Sequence, residues 1–331
     1  MNQLIGLFFD NWQIICLVFV GTNGISNQSL GVLAKKHIVN EINADDSMNR
    51  YTDYPMIGKH PATLTVMQAI ADAAQTDGHV LITGETGTGK ELIANAIQQQ
   101  GRRRQQAYIQ INCAAVHPAL MEFELFGYWP GAFPEAKQYK PGLLEELSAG
   151  TLLLDEIESL PLSIQFKLLR FIEQGDYQPC GGQDYQSSNV RLLAVSNANL
   201  KRRVEQKTFC PGLYYRLNTI QLHAPALRKR KTDIPMLIGY YLGIMAKQHV
   251  APCPSLARET LDFLMNYPWP GNIRELRNVC ENLVVRRLSG KVYPEHLPIN
   301  LDISSVSFPS DLMPSQTNDL ARVTLQAVPI G

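Results

Sequence analysis

The run from Val80 to Glu91 reads Val-Leu-Ile-Thr-Gly-Glu-Thr-Gly-Thr-Gly-Lys-Glu, a short apolar stretch that ends in a glycine-rich loop and a lysine. Leu92, Ile93, Ala96 and Ile97 continue it with helical periodicity. A strand, a tight loop and a helix in that order admit few folds, because alternating strands and helices build a parallel sheet. Gly84, Gly89 and Lys90 sit at the Walker A spacing, with Glu85, Thr86, Gly87 and Thr88 between them. Glycines let backbone N–H groups turn inward on phosphate oxygens. The helix N-terminus favours negative charge, and the Lys90 ammonium reaches the outer phosphates. An ordinary turn shares the bare pattern; the flanking strand and helix argue for phosphate binding.

A second motif points the same way. Thr151-Leu-Leu-Leu-Asp155-Glu156 reads as a buried parallel strand that delivers two carboxylates to its C-terminal end, where such sheets bind ligands. Asp155 is placed to hold Mg²⁺ through water, and Glu156 to polarise an attacking water. ATP and Mg²⁺ are the cofactors this pair of motifs predicts. Glu91 departs from the generic loop, which places a Ser or Thr hydroxyl on the metal. Asp155, Glu156 and the phosphates still suffice, because Mg²⁺ keeps several waters of its own.

Lys plus Arg and Asp plus Glu both total 30, so global charge predicts no nucleic-acid partner. Cys16, Cys113, Cys180, Cys210, Cys253 and Cys280 are scattered without a paired or histidine-linked spacing. That distribution predicts a reducing, cytoplasmic location and no structural zinc. Trp12 to Val20 is apolar, but Asp10, Asn11 and Gln13 interrupt the run. It falls short of the roughly 18 clean apolar residues of a membrane span, so no membrane partner is expected.

Residues 1–50 carry no motif and read as a sensory-domain remnant followed by a polar linker. An α/β core is predicted from 54 to 224. Within it Leu64, Met67, Ile70 and Ala74 form one helical face, and Tyr108–Asn112 and Val190–Asn197 read as strands. A helical lid is predicted from 225 to 298, with helices at Ile234–Gln248, at Ser255–Asn266 and from Gly271-Asn272 to Leu288. Residues 299–331, rich in Pro and Ser, read as an extended tail.

Several further motifs occur in one order. They are Glu124-Leu-Phe-Gly127, Gly131-Ala-Phe133, the run from Pro141 through Glu156 to Ile157, Leu213-Tyr-Tyr-Arg-Leu-Asn218, Pro225-Ala-Leu-Arg-Lys-Arg230 and Trp269-Pro-Gly-Asn-Ile-Arg-Glu-Leu-Arg-Asn278. From about Ile57 to Pro298 the chain resembles the AAA+ domain of bacterial sigma-54-dependent transcriptional activators, a parallel-sheet P-loop NTPase core followed by a helical lid. The resemblance implies an ATPase that assembles into a homo-oligomeric ring and remodels RNA polymerase sigma-54 holoenzyme. In that family Glu commonly follows the Walker lysine, as Glu91 does here. The resemblance makes Lys90 the phosphate lysine and Asp155 and Glu156 the magnesium and water-activating pair. Asn112 becomes the residue that restrains Glu156, and Asn197 the first sensor of the γ-phosphate. Arg274 becomes the second sensor on the lid, and Arg216 an arginine finger offered to a neighbouring subunit.

Two positions depart from the family. Its remodelling loop reads Gly-Ala-Phe-Thr-Gly-Ala, whereas Gly131 to Ala136 reads Gly-Ala-Phe-Pro-Glu-Ala. Pro134 fixes φ and Glu135 removes the range of glycine, which predicts loss of the sigma-54 contact. A second arginine finger is replaced by Cys210. A single such arginine contributes ~10³-fold or more, so slow hydrolysis is expected, and an arginine restored at Cys210 is expected to raise turnover. No recognition helix precedes Gly331, so specific DNA binding by this chain alone is not expected. The function classes left open are an ATP-driven sigma-54 activator, a regulator that assembles on ATP without engaging sigma-54, and an inactive truncated product.

Overall fold

The computed structural model describes residues 55–287 and 290–298. The readings made for residues 1–50 and 299–331 lie outside the described residues. In chain order the elements are α1 (Pro61–Ala74), β1 (Val80–Gly84), α2 (Lys90–Gln100), β2 (Tyr108–Asn112), α3 (Pro118–Phe126), α4 (Leu143–Glu146) and β3 (Thr151–Asp155). There follow α5 (Leu162–Gln174), β4 (Asp176–Tyr177), β5 (Gln186–Ser187), β6 (Arg191–Ser196), α6 (Leu200–Glu205), α7 (Pro211–Leu217) and β7 (Gln221–Ala224). The chain then becomes mainly helical, with α8 (Ile234–Gln248), β8 (Ser255–Leu256), α9 (Arg258–Asn266), α10 (Asn272–Val285) and β9 (Lys291–Val292).

The long strands form one parallel five-stranded sheet in the order β2-β3-β6-β1-β7. The central strands β3 and β6 are buried on both sides, and alternation along the sheet divides the core. Leu152, Leu154, Leu192 and Ala194 face a layer built from α3, α5 and α7, including Phe126, Leu168 and Leu213. Leu153, Leu193, Val195, Val80 and Ile82 face the opposite layer, where α1 and α2 contribute Val66, Ile70, Ile93 and Ile97. The chain leaves β1 through α2 and returns at the far edge as β2. The carboxyl ends of β1, β3 and β6 therefore open side by side at a crossover, the position where such sheets bind ligands.

The lid has its own core. Fully buried Trp269 packs with Leu237, Tyr241, Phe263, Leu276 and Leu283, and its indole N–H donates to the Leu264 carbonyl at 2.8 Å. Asp233, fully buried at the start of α8, ties the lid to the core: its Oδ1 accepts from the Lys59 and His60 amides at 2.7 and 2.8 Å, and its Oδ2 from the Thr63 hydroxyl. Among the described residues no helix is long and apolar enough to cross a membrane.

Three element readings need correction. The buried face of α1 is Thr63, Val66, Ile70, Ala73 and Ala74, while Leu64 is exposed. The α1 stripe accepts either set at helical spacing; close contact with α2 and β7 selects the smaller and β-branched side chains. The helix expected from Ser255 starts at Arg258, because Ser255 and Leu256 pair with Lys291 and Val292 as short parallel strands. The helix expected to reach Leu288 ends at Val285.

Candidate functional site

Gly84, Gly87 and Gly89 all adopt positive φ, and the loop they form runs from the end of β1 into the first turn of α2. The need for glycine is clearest at Gly87, where φ is 77° and an added Cβ would sit 2.3 Å from the Gly271 carbonyl oxygen. The Thr88 hydroxyl closes the loop on itself by donating to the Glu85 carbonyl at 2.7 Å. Lys90 opens α2 and is 6 % exposed; its Nζ donates to the Gly84 and Glu85 carbonyls at 3.0 and 2.8 Å. The ammonium is thus held at the mouth of the loop by weak neutral acceptors, which a phosphate oxygen would outcompete. Burial lowers its pKa, opposed by the charges of Asp155, Glu158 and Glu91.

The apolar strand β3 places Asp155 at its end, 8 % exposed, and the chain turns at once through a left-handed Glu156 with φ 54° and ψ 48°. The Glu156 amide donates to Asp155 Oδ1 at 2.9 Å, which fixes the carboxyl at the strand end. Burial pushes the Asp155 carboxyl up to about 6, and the neighbouring Glu91 charge adds to the shift. Asn112 is level with Asp155 across β2 and β3. Its Oδ1 accepts from the Ala114 and Ala115 amides at 2.8 and 3.1 Å, a local cap that orients the carboxamide. Asn197 follows β6, and its backbone amide donates to Glu158 Oε1 at 2.9 Å.

The lid closes over the loop. Asn272, fully buried, donates through Nδ2 to the Thr86 carbonyl at 3.0 Å and to Glu85 Oε2 at 3.3 Å, and accepts from the Leu227 amide at 2.8 Å. The Ile273 and Arg274 amides donate to the Gly87 carbonyl at 2.9 and 3.3 Å. Arg228 pairs with both oxygens of Glu85 and holds that carboxyl down at about 2. Arg230, also buried, donates to the Thr88 carbonyl at 3.1 Å. Beside the loop, Ile57, Leu92, Ile93, Pro225, Leu237 and Ile273 line a mostly apolar cleft between sheet and lid.

The structure therefore gathers Gly84 to Glu91, Asn112, Asp155, Glu156 and Asn197 at one end of the sheet. The exposed Arg274 side chain is close enough for its charge to act on Lys90. Arg216 stands apart on α7, its side chain 58 % exposed and its Nε bonded to Glu173 at 2.9 Å. Cys210 does not match the expectation of a replaced arginine finger. It is 3 % exposed in the core between α5 and α7, with its amide bonded to Gln165 Oε1 at 2.7 Å. An arginine there would bury an unpaired guanidinium, which opposes the gain in turnover expected from restoring one. Glu158 and Asn272 were missed as site residues, whereas the basic cluster from Arg228 to Lys231 reads as either nucleotide-proximal or solvated, and Arg228 and Arg230 do reach the loop. A third acid within three residues of Asp155 was the available signal for Glu158; nothing in the sequence pairs Arg228 with Glu85.

The segment Gly131 to Ala136 is a closed turn. The Ala136 amide donates to the Phe133 carbonyl at 2.9 Å with Pro134 and Glu135 between them, and the Gly131 amide donates to the Ala136 carbonyl at 2.8 Å. Proline is favoured at the first central position of such a turn. The Phe133 ring stacks on Phe123 at 4.8 Å and meets Tyr128 edge-on at 4.9 Å.

A parallel sheet with this strand order, a phosphate loop after β1, acids at the end of β3 and a helical lid on the loop define an AAA+ domain. Comparison with known proteins gives the family. Residues 56–223 match the sigma-54 interaction domain and residues 228–310 the AAA+ ATPase lid domain, and the chain belongs to the sigma-54 activator family. It is 38 % identical over 262 residues to the DNA-binding transcriptional regulator NtrC of Proteus hauseri, covering 79 % of this chain and 55 % of that protein. It is 40 % identical over 238 residues to the regulatory protein AtoC of Escherichia coli K12, covering 72 % and 52 %. Among solved structures, NtrX from Brucella abortus in complex with ATP superposes with a TM-score of 0.72 at 28 % identity, covering 87 % of this chain and 64 % of that one. The chain thus spans about half the length of such curated relatives.

The raised Asp155 carboxyl has a consequence for the metal-free protein. Its folded pKa of about 6 exceeds the ordinary 3.8, so between those values the native state holds a proton that the unfolded chain releases. Stability is therefore expected to fall by about 2–3 kcal/mol as pH rises from about 4 to about 6. Asp155→Asn keeps the acceptor for the Glu156 amide and should remove this slope. Urea midpoints across that range check it; identical slopes in both proteins would contradict the assignment.

Proposed function

We propose that the chain is a cytoplasmic, ATP-binding transcription regulator of the sigma-54 type, whose hydrolysis of ATP is coupled to remodelling of RNA polymerase holoenzyme. The observation that carries this reading is the convergence of Lys90, Asp155 and Glu156 beneath a phosphate loop that the lid grips. In this reading residues 54–224 form the catalytic core and 225–298 the lid. The apolar cleft beside Gly89 takes the base, and the loop amides and Lys90 take the phosphates.

A magnesium ion fits the site, because Asp155, Glu156, Glu158 and Glu91 crowd one region against Lys90, and Glu158 keeps a buried oxygen to which no protein group among the described residues donates. Asp155 would hold Mg²⁺ through water, and the ion would neutralise phosphate charge there. Lys90 exchanges its loop carbonyls for phosphate oxygens. Glu156 accepts a proton from the attacking water. Asn112, whose Oδ1 is taken by local amides, offers Nδ2 as the donor that restrains Glu156. Asn197 and Arg274 report the γ-phosphate from the strand end and the lid. Arg216, exposed on α7, serves a neighbouring subunit in a homo-oligomeric ring as an arginine finger. Specific DNA recognition is not assigned to this chain.

Removing the Lys90 ammonium leaves phosphate charge uncompensated, whereas Glu156 acts on water and not on bound nucleotide. Lys90→Ala is expected to lose ATP binding, with Glu156→Gln binding ATP at wild-type affinity and releasing no phosphate. Labelled-ATP titration with a phosphate-release assay checks both. Equal affinity of the wild type and Lys90→Ala would falsify the phosphate-loop assignment.

The turn at Pro134-Glu135 favours a second reading, in which the chain assembles on ATP without engaging sigma-54. Proline at the turn and Phe133 packed on Phe123 and Tyr128 oppose the rearrangement a mobile tip requires. On this reading the wild type forms no complex with sigma-54 in the presence of an ATP transition-state analogue. The double change Pro134→Thr with Glu135→Gly restores one. Tight binding by the unmodified chain would return the assignment to the first reading.

A further inference from the structure

Beyond Asp155 the chain makes one 3₁₀ turn, Ile157–Ser159, and buries Glu158 to 9 % exposure. A carboxylate in such a position is costly unless donors meet its oxygens. Oε1 has one, the Asn197 amide at 2.9 Å. Oε2 is buried as well, and among the described residues no protein group donates to it. The nearby cation does not fill this role: Lys90 Nζ donates to the Gly84 and Glu85 carbonyls and makes no hydrogen bond to Glu158 Oε2.

The surroundings of Glu158 are those of the phosphate site. Its charge acts on Lys90, and also on Cys113, whose amide donates to the Asp155 carbonyl at 2.8 Å. Glu158 therefore lies near the ends of β2, β3 and β6, close to Asp155 and bonded to the strand end that carries Asn197. A purely structural tie to Asn197 needs one acceptor, which a glutamine amide supplies equally well. The second anionic oxygen is unexplained by the protein alone. It suits a ligand that arrives with donor groups only, and a hydrated divalent cation is such a ligand.

We propose that Glu158 is a positioning residue of the metal–phosphate site: Oε2 accepts a hydrogen bond from a water in the shell of Mg²⁺ bound with ATP, while Oε1 fixes Asn197 beside that shell. This rests on the ATP-binding reading above. It makes Glu158 an outer carboxylate that acts through water, complementing Asp155, and it couples the Asn197 strand end to arrival of the metal.

Glu158→Gln separates the two oxygens. It keeps an acceptor for the Asn197 amide and turns the other position into a donor, which a metal-bound water cannot satisfy. The full chain is titrated with a fluorescent ATP analogue, first in EDTA and then at increasing Mg²⁺, and its thermal midpoint is recorded in EDTA. The wild type should gain affinity with Mg²⁺. The Glu158→Gln protein should keep its EDTA affinity and midpoint but need ~10-fold more Mg²⁺ for half of the gain, the scale typical of an outer-shell partner. Glu158→Asp, which keeps the charge, should fall between the two. An unchanged Mg²⁺ midpoint in Glu158→Gln overturns the inference alone. So does a parallel loss of EDTA affinity and thermal midpoint, which would mark a structural role, or a Glu158→Asp response no better than that of glutamine. Absence of any nucleotide binding by the wild type would instead overturn the ATP reading, and this inference with it.

Discussion

The first turn of α10 rests on the carbonyl edge of the phosphate loop, and the geometry of the site depends on that contact. Asn272 makes it with a left-handed backbone at φ 53°, a conformation that asparagine tolerates better than most residues. Its carboxamide joins Thr86 and Glu85 on the loop to Leu227 at the base of the lid, while the Ile273 and Arg274 amides take the Gly87 carbonyl. Gly87 permits the approach because it has no Cβ. Loop conformation and lid position are therefore one variable. A phosphate that draws Lys90 away from the Gly84 and Glu85 carbonyls acts on the same loop that Asn272 holds.

Electrostatics give the site its direction. Asp155 and Glu158 are buried at the strand ends with Glu91 on the facing helix, and Lys90 is the cation whose charge they share. The protein tolerates this excess of negative charge through short ties to backbone amides: Glu156 to Asp155, and Asn197 to Glu158. Around the rim the pattern reverses. Arg228 satisfies Glu85 with two nitrogens, and Arg230 reaches the Thr88 carbonyl. The centre of the site is left short of positive charge while its frame is neutralised, as suits a polyanion bound with a divalent ion.

Much of this was legible in the residues. The strand, loop and helix around Lys90 and the three leucines before Asp155 are local patterns with few structural solutions, and the ordered motifs carried the family. What was not legible depended on tertiary choice. At α1 two apolar stripes fit the helical period, and only packing against α2 and β7 decides between them. Ser255 and Leu256 become strand because Lys291 and Val292, distant in sequence, lie alongside. Cys210 occupies the position of an arginine finger in the resemblance, yet its segment packs inward against Gln165. Glu158 and Asn272 look like an ordinary turn acid and a helix-opening amide until their partners across the fold are seen.

The central claim is that nucleotide seats on the phosphate loop and is felt at once by the lid. Amide hydrogen exchange with and without Mg²⁺-ATP tests it most directly, using the Gly87–Lys90 loop and the Leu227 and Ile273 amides as reporters. The account predicts a joint change in protection at the loop and at both lid amides. Protection confined to the loop, with Leu227 and Ile273 exchanging at unaltered rates at saturating nucleotide, would contradict it.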